Sequence, residues 1–184
     1  ASSIAGDQSY GVYAYMKHFA LNDQEGNRNC MAATWSNEQA IREIYLKPFE
    51  MSVKDADCHA VMSSFNYIGN RWAGGCSELL QNVLRGEWGF KGLESQDFIM
   101  NPNYAVLKEY ALNGGTMTTF TGENTRAAVS EKFAYWTTEN VGQDTELMSA
   151  IKQAMTWQAY ALANSNALDG MASSTRLVSV RTWY

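Results

Sequence analysis

The sequence predicts an α/β protein made of parallel strands joined by helical crossovers. Three observations lead there. Short runs rich in β-branched and aromatic residues alternate with segments of helical period. Each pair of strand runs is separated by enough chain for a crossover helix, which parallel pairing requires. Polar residues gather where the strand runs end: Lys17 and His18, then Ser64 and Asn66, then Asp97. Strand–helix units of this kind fit an open sheet or half of an eight-stranded barrel. In both, ligands bind at the carboxyl ends of the strands.

The elements follow in order. Residues 12–20, VYAYMKHFA, read as a strand, and the polar stretch 21–35 as a long loop. Ser36 is expected to open a helix, with Gln39 three residues on completing a capping box. Ile41, Ile44, Tyr45 and Phe49 would form its apolar face, and Pro48 should bend it or lie near its end. Residues 59–65, HAVMSSF, form the second strand, opened by His59. After the loop NYIGNRWAGG, Ser77 is expected to cap a helix that turns Leu80, Val83 and Leu84 inward and stops at Gly89. Residues 92–99 come where the third strand is due. YAVLKEYALNGG then reads as a helix with a glycine cap, GTMTTF (115–120) as a fourth strand, and the stretch from Thr145 to Ala167 as the longest helix. From Asp169 onward no period is legible. The domain reading is a partial barrel over 1–167, with 168–184 a linker or the start of a following segment.

Composition narrows the function. A chain of 184 residues that is 46% hydrophobic can bury one core, and 18% charged residues argue against disorder. A formal charge of −5 with no basic run gives nucleic acid or an anionic membrane nothing to bind. No apolar stretch approaches the roughly 20 residues of a membrane span. The opening ASSIAGDQSYG has no signal-peptide pattern and reads as a piece from mid-chain, which leaves a cytoplasmic or secreted location open. Cys30, Cys58 and Cys76 are odd in number and lack CxxC spacing, so neither a disulfide framework nor a zinc site is expected. No P-loop, dinucleotide glycine fingerprint, GxSxG or HExxH occurs, and no cofactor or metal is expected.

Each candidate site residue has a sharp and a plain reading. Lys17 and His18 are adjacent, so a regular strand points them to opposite faces. They can serve one ligand only where the strand ends or bulges. The plain alternative is a surface lysine beside a hydrogen-bonded core histidine. Asp97, at a strand end, is either a hydrogen-bond acceptor between elements or a nucleophile. Asp23 and Glu25 read first as solvated loop charge. Trp72 is either a stacking surface for a sugar ring or a packing residue.

Four stretches in order resemble the family 3 glycoside hydrolases, the β-glucosidase-like enzymes. "KHFALNDQEGNR" is similar to the family's Lys-His loop and "EQAIREIYLKPFE" to its following helix. "AVMSSFNYIGNRWAGGCSELLQNVLRGEWGFKG" is similar to the next strand, loop and helix, and the spacing to "QDF" to the strand that ends in the catalytic aspartate. The resemblance runs from about residue 11 to 120 and more loosely through the last helix. It implies a TIM-type (β/α)8 catalytic barrel, of which this segment would be roughly the second half, and a retaining exo-glycosidase acting on β-glucosides or related oligosaccharides. Asp97 would be the nucleophile. Lys17 and His18 would bind sugar hydroxyls, and Met62, Phe65 and Phe98 would line the same pocket. A glycosyl nucleophile must be ionised, which a neighbouring cation favours, and hydrogen bonds to sugar hydroxyls strengthen as oxocarbenium character develops.

The departures also carry expectations. "GLESQ" places Glu94 and Gln96 where the family has an apolar strand, and a buried charge there is costly. Phe98 stands for the usual tryptophan and Phe65 for the usual tyrosine. The barrel's first half and the general acid/base are missing. Asp23 and Glu25 are the only local candidates to replace the acid, and neither is expected to do so. The partner of this segment would be the missing barrel half and C-terminal domain, or a second chain. Were those absent, the alternative is a non-catalytic half-barrel that only binds sugar or packs.

Overall fold

The structure is a computed structural model, and it describes residues 1–28, 31–98, 105–119 and 136–167. Helix α1 (Ser2–Ser9) precedes strand β1 (Tyr15–Phe19) and the short β2 (Ala33–Thr34). Helix α2 (Glu38–Ala40) runs into a π-helical turn (Ile41–Tyr45) and then α3 (Lys47–Lys54). Strand β3 (Ala60–Ser63) is followed by β4 (Tyr67–Ile68), β5 (Arg71–Trp72) and a 3-10 turn (Ala73–Gly75). A π-type helix (Glu78–Glu87) leads to β6 (Leu93–Gln96), then α4 (Leu107–Leu112), α5 (Thr138–Gln143) and α6 (Thr145–Ala163).

The expected parallel sheet is present, with strand order β1-β3-β6. Tyr15 pairs with Ala60 and Met16 with Val61 on one side of β3, and Val61 pairs with Glu94 and Ser63 with Gln96 on the other. Where the fourth strand was expected, Met117 makes a parallel bridge to Ser95, and the described part of that run ends at Thr119. The reading therefore held for strand direction and crossover. A second, small sheet was not foreseen: β2 pairs in parallel with β4, and β4 turns back on β5. Its two-residue strands lie in stretches read as loops, because two residues carry no period. The expected linker at 168–184 and Cys30 lie outside the described residues.

The helix expectations needed correction at their starts. Asn37, not Ser36, caps α2, its Oδ1 accepting from the Ala40 N–H at 2.8 Å. Ser77 makes no capping bond; its hydroxyl instead donates to Glu78 at 3.0 Å. The apolar face also rotates. Ile41 and Phe49 pack on the core, but Ile44 and Tyr45 are exposed and Leu46 is buried in their place. The π winding explains this, because the Leu46 N–H bonds the Ile41 carbonyl five residues back and so brings Leu46 over Ile41. Pro48 sits in the first turn of α3, where its missing N–H costs nothing. Gly89, at φ +73°, stops the π-type helix as expected, and Gly114, at φ +101°, follows the Asn113 cap of α4.

The main core lies between the sheet and these helices. Met16, Phe19 and Val61 pack with Leu46, Leu79, Leu80, Val83, Leu84 and Trp88. Leu80 is fully buried. Leu80→Ala is expected to destabilise the protein by about 2–5 kcal/mol, measured as a lowered urea midpoint. A loss below about 1 kcal/mol would show that this layer is not a packed core. A smaller cluster of Phe65, Trp72, Ala105, Leu107 and Tyr110 lies towards the carboxyl end of β3.

Candidate active site

The pairing register slips between Met16 and Phe19, across Lys17 and His18. This is the strand irregularity that the adjacent pair required, and the Lys17–His18 and Phe19–Ala20 peptide bonds there are cis. His18 is half-buried and its Nε2 lies 3.2 Å from Asp97 Oδ2. Lys17 is exposed, and among the described residues it makes no ion pair. Its charge is nevertheless felt at His18.

Asp97 follows directly after β6 and is 8% exposed. Its backbone N–H donates to Ser63 O, which anchors it to the end of β3. Oδ1 accepts the Phe98 N–H at 2.8 Å, which turns Oδ2 towards His18 and Arg28. The ends of β1 and β6 thus meet across β3, the middle strand.

Arg28 completes the group, and the sequence reading passed over it. Its guanidinium reaches Asp97 Oδ2 at 3.5 Å and Glu25 at 2.8 Å, and it stacks over the Phe65 ring at 4.6 Å. It lies at the end of the quoted polar loop, ten positions after His18. The available signal was its spacing of three from Glu25, which in a loop is not diagnostic.

The remaining candidates separate cleanly. Phe65 is buried under Arg28 and belongs to the site. Met62 is half-buried and pairs with Ser95, on the face opposite the core residue Val61. Phe98 is 44% exposed, beside Asp97. Asp23 is exposed, and the carboxylate of Glu25, also exposed, is engaged with Arg28. Trp72 took the plain reading: it is buried, donates to Ser64 O and packs near Tyr110. His59 lies just before β3, between the rings of Tyr13 and Tyr160.

Burial holds His18 below the ordinary histidine range, partly opposed by Asp97 and reinforced by Lys17 and Arg28. A neutral imidazole can still donate Nε2–H to the carboxylate. Asp97 is therefore held between the Arg28 cation and a neutral imidazole donor. That set can orient an anionic oxygen while leaving it free to attack. Among the described residues no group of three His, Cys, Asp or Glu could hold a metal ion.

Residues 1–116 match the family model described as the glycosyl hydrolase family 3 N-terminal domain. The chain belongs to glycosyl hydrolase family 3. It is 45% identical over 98 residues to β-glucosidase B of Emericella nidulans, covering 53% of this chain and 12% of that protein. It is 37% identical over 103 residues to a β-glucosidase of Ruminococcus albus, covering 56% and 11%. Among solved structures, it is similar to β-glucosidase 3B of Thermotoga neapolitana in complex with glucose. That match has a TM-score of 0.76 and 29% identity, and it covers 90% of this chain and 23% of that one. The chain thus spans about an eighth of the length of these curated relatives and about a quarter of that solved chain.

Proposed function

We propose that this family 3 chain carries the nucleophile side of a retaining exo-glycosidase that removes terminal non-reducing β-D-glycosyl residues. The segment 1–167 would form roughly the second half of a (β/α)8 barrel, with 168–184 leading onward. The observation that supports this is the convergence of His18 and Arg28 on one oxygen of Asp97, at the carboxyl ends of parallel strands. The β-glucosidase names of its relatives supply the substrate class, a β-glucoside or related oligosaccharide.

In this reading Asp97 attacks the anomeric carbon, the bond to the leaving oxygen breaks, and a glycosyl ester forms on the carboxylate. Water then cleaves the ester, so two inversions return the β configuration. Arg28 sets a positive charge against the attacking carboxylate, and His18 holds its orientation. Lys17, exposed at the strand end, is placed to meet sugar hydroxyls, with Met62, Phe65 and Phe98 as the surrounding wall. The acid that protonates the leaving oxygen comes from outside this set, because Glu25 is tied to Arg28. The rest of the barrel and a further domain, or a second chain, would supply it.

The test is stereochemical. The full-length protein should hydrolyse a nitrophenyl β-glucoside, and proton NMR at early times should show the β-anomer of the sugar first. First appearance of the α-anomer would assign a single displacement and remove the covalent role from Asp97.

A further inference from the structure

Strand β6 carries Asp97 at its end and an unexplained acid in its middle. Glu94 is fully buried, on the same side of the sheet as its partner Val61, which packs in the main core. Its main chain is well served. The N–H and the Thr116 hydroxyl oxygen lie 2.8 Å apart, and the Tyr110 and Thr116 hydroxyls reach its carbonyl at 2.8 and 2.6 Å. Its side chain is not: neither carboxyl oxygen has a hydrogen-bond partner, and the nearby Ser63 hydroxyl and Gln96 Oε1 are equally unpartnered.

The groups facing it favour a charge there less than burial opposes it. Arg85, on the π-type helix, is the nearby cation, but its N–H groups are directed at the carbonyls of Phe90, Gly92 and Gly114. Tyr110 of α4 and the Ser63 hydroxyl of β3 lie beside the carboxyl without hydrogen-bonding it in ordinary geometry. Tyr15 of β1 also lies within reach of its charge. A carboxylate stripped of water and left without partners is among the costliest groups a core can hold, whereas the neutral acid is not.

We propose that Glu94 is carried in the folded sheet as the uncharged acid, and that this proton acts as a pH-sensitive lock on the strand that positions Asp97. Burial pushes its pKa up to about 7, against the ordinary carboxylate value of 4.5. The sign follows from linkage. Below pH 4.5 both the folded and unfolded chains hold the proton, and the lock is fully present. Between 4.5 and 7 the unfolded chain gives up the proton and the folded chain keeps it, so stability is lost as pH rises. Above about 7 the loss is complete and this group adds no further slope.

The experiment compares the full-length protein with E94Q, whose amide keeps the shape but cannot ionise. Denaturant unfolding of the domain is followed from pH 4.5 to 8. The folding constant of the wild type, taken relative to E94Q, should fall by about two orders of magnitude between pH 4.5 and 7 and then level off. A ratio independent of pH would overturn the proposal. If E94Q does not fold, infrared spectra of the wild type in heavy water decide. A protonated carboxyl band should persist at pH 6, where exposed carboxyls are ionised, and vanish by pH 8.5. Its absence at pH 6 would overturn the proposal. Both readouts are independent of catalysis, so an active D97N would sink the nucleophile assignment and leave this inference standing.

Discussion

Asp97→Asn in the full-length protein is expected to lower kcat on a nitrophenyl β-glucoside by more than about 10⁴-fold, beyond the usual cost of losing a general acid or base. The amide is nearly isosteric and keeps an oxygen to accept the Phe98 N–H, while its NH2 group replaces the acceptor that faced Arg28 and His18. It cannot attack as an anion, and the covalent route closes. Circular dichroism should stay close to the wild type, and any loss of stability should be confined to the lost Arg28 and His18 contacts. Lys17→Ala should cost much less, because it removes a surface charge and a ligand bond but not the reacting atom. Full activity in D97N would place the nucleophile elsewhere.

Arg85→Met should be the most damaging change away from the site. The side chain is half-buried, yet it holds three carbonyls, two on the approach to β6 and one just after α4. Gly114 O lies 2.7 Å from one terminal nitrogen, and Gly92 O and Phe90 O are each 3.4 Å away. Its guanidinium also lies 3.4 Å from the Trp157 ring centre, which ties α6 to the π-type helix. Burial lowers its pKa to about 10, and it remains a cation at neutral pH. Methionine keeps much of the apolar stem but leaves those carbonyls without donors, at about 1–3 kcal/mol each where water cannot replace them. A loss of about 3–5 kcal/mol in denaturant unfolding is expected. A change within 1 kcal/mol would mean that water serves these carbonyls without the guanidinium.

These two residues mark what the sequence disclosed and what it hid. Asp97 stood out in the sequence as a carboxylate ending a strand run, and its reading as a nucleophile came from the resemblance carried by the spacing to "QDF". Strand direction was legible because the chain between strands had to be long enough to cross over. Arg28 and Arg85 were not, because their meaning lies in partners far along the chain: a carboxylate after β6 for one, backbone carbonyls before β6 and after α4 for the other. Backbone acceptors leave no mark in a sequence. The N-cap at Asn37 was missed by one position, because Ser36 and Asn37 are both good caps and only tertiary packing chooses between them. The buried Glu94 was noticed as a misfit in an apolar strand, but its lack of partners could be seen only in three dimensions.

The π turn at Ile41–Tyr45 bears on how this chain can change length. One extra residue is accommodated there without displacing the core, since Leu46 sits over Ile41 at a spacing of five. An α-helix places residues four apart on the same face. Deleting a single residue between them would therefore return Leu46 to the same stripe, now in ordinary winding, with the helix after it kept in phase. A one-residue deletion at almost any other helical position would turn every following side chain by about 100° and expose the buried set. This stretch is thus a point where the chain can lose one residue without rebuilding the sheet or the Asp97 site.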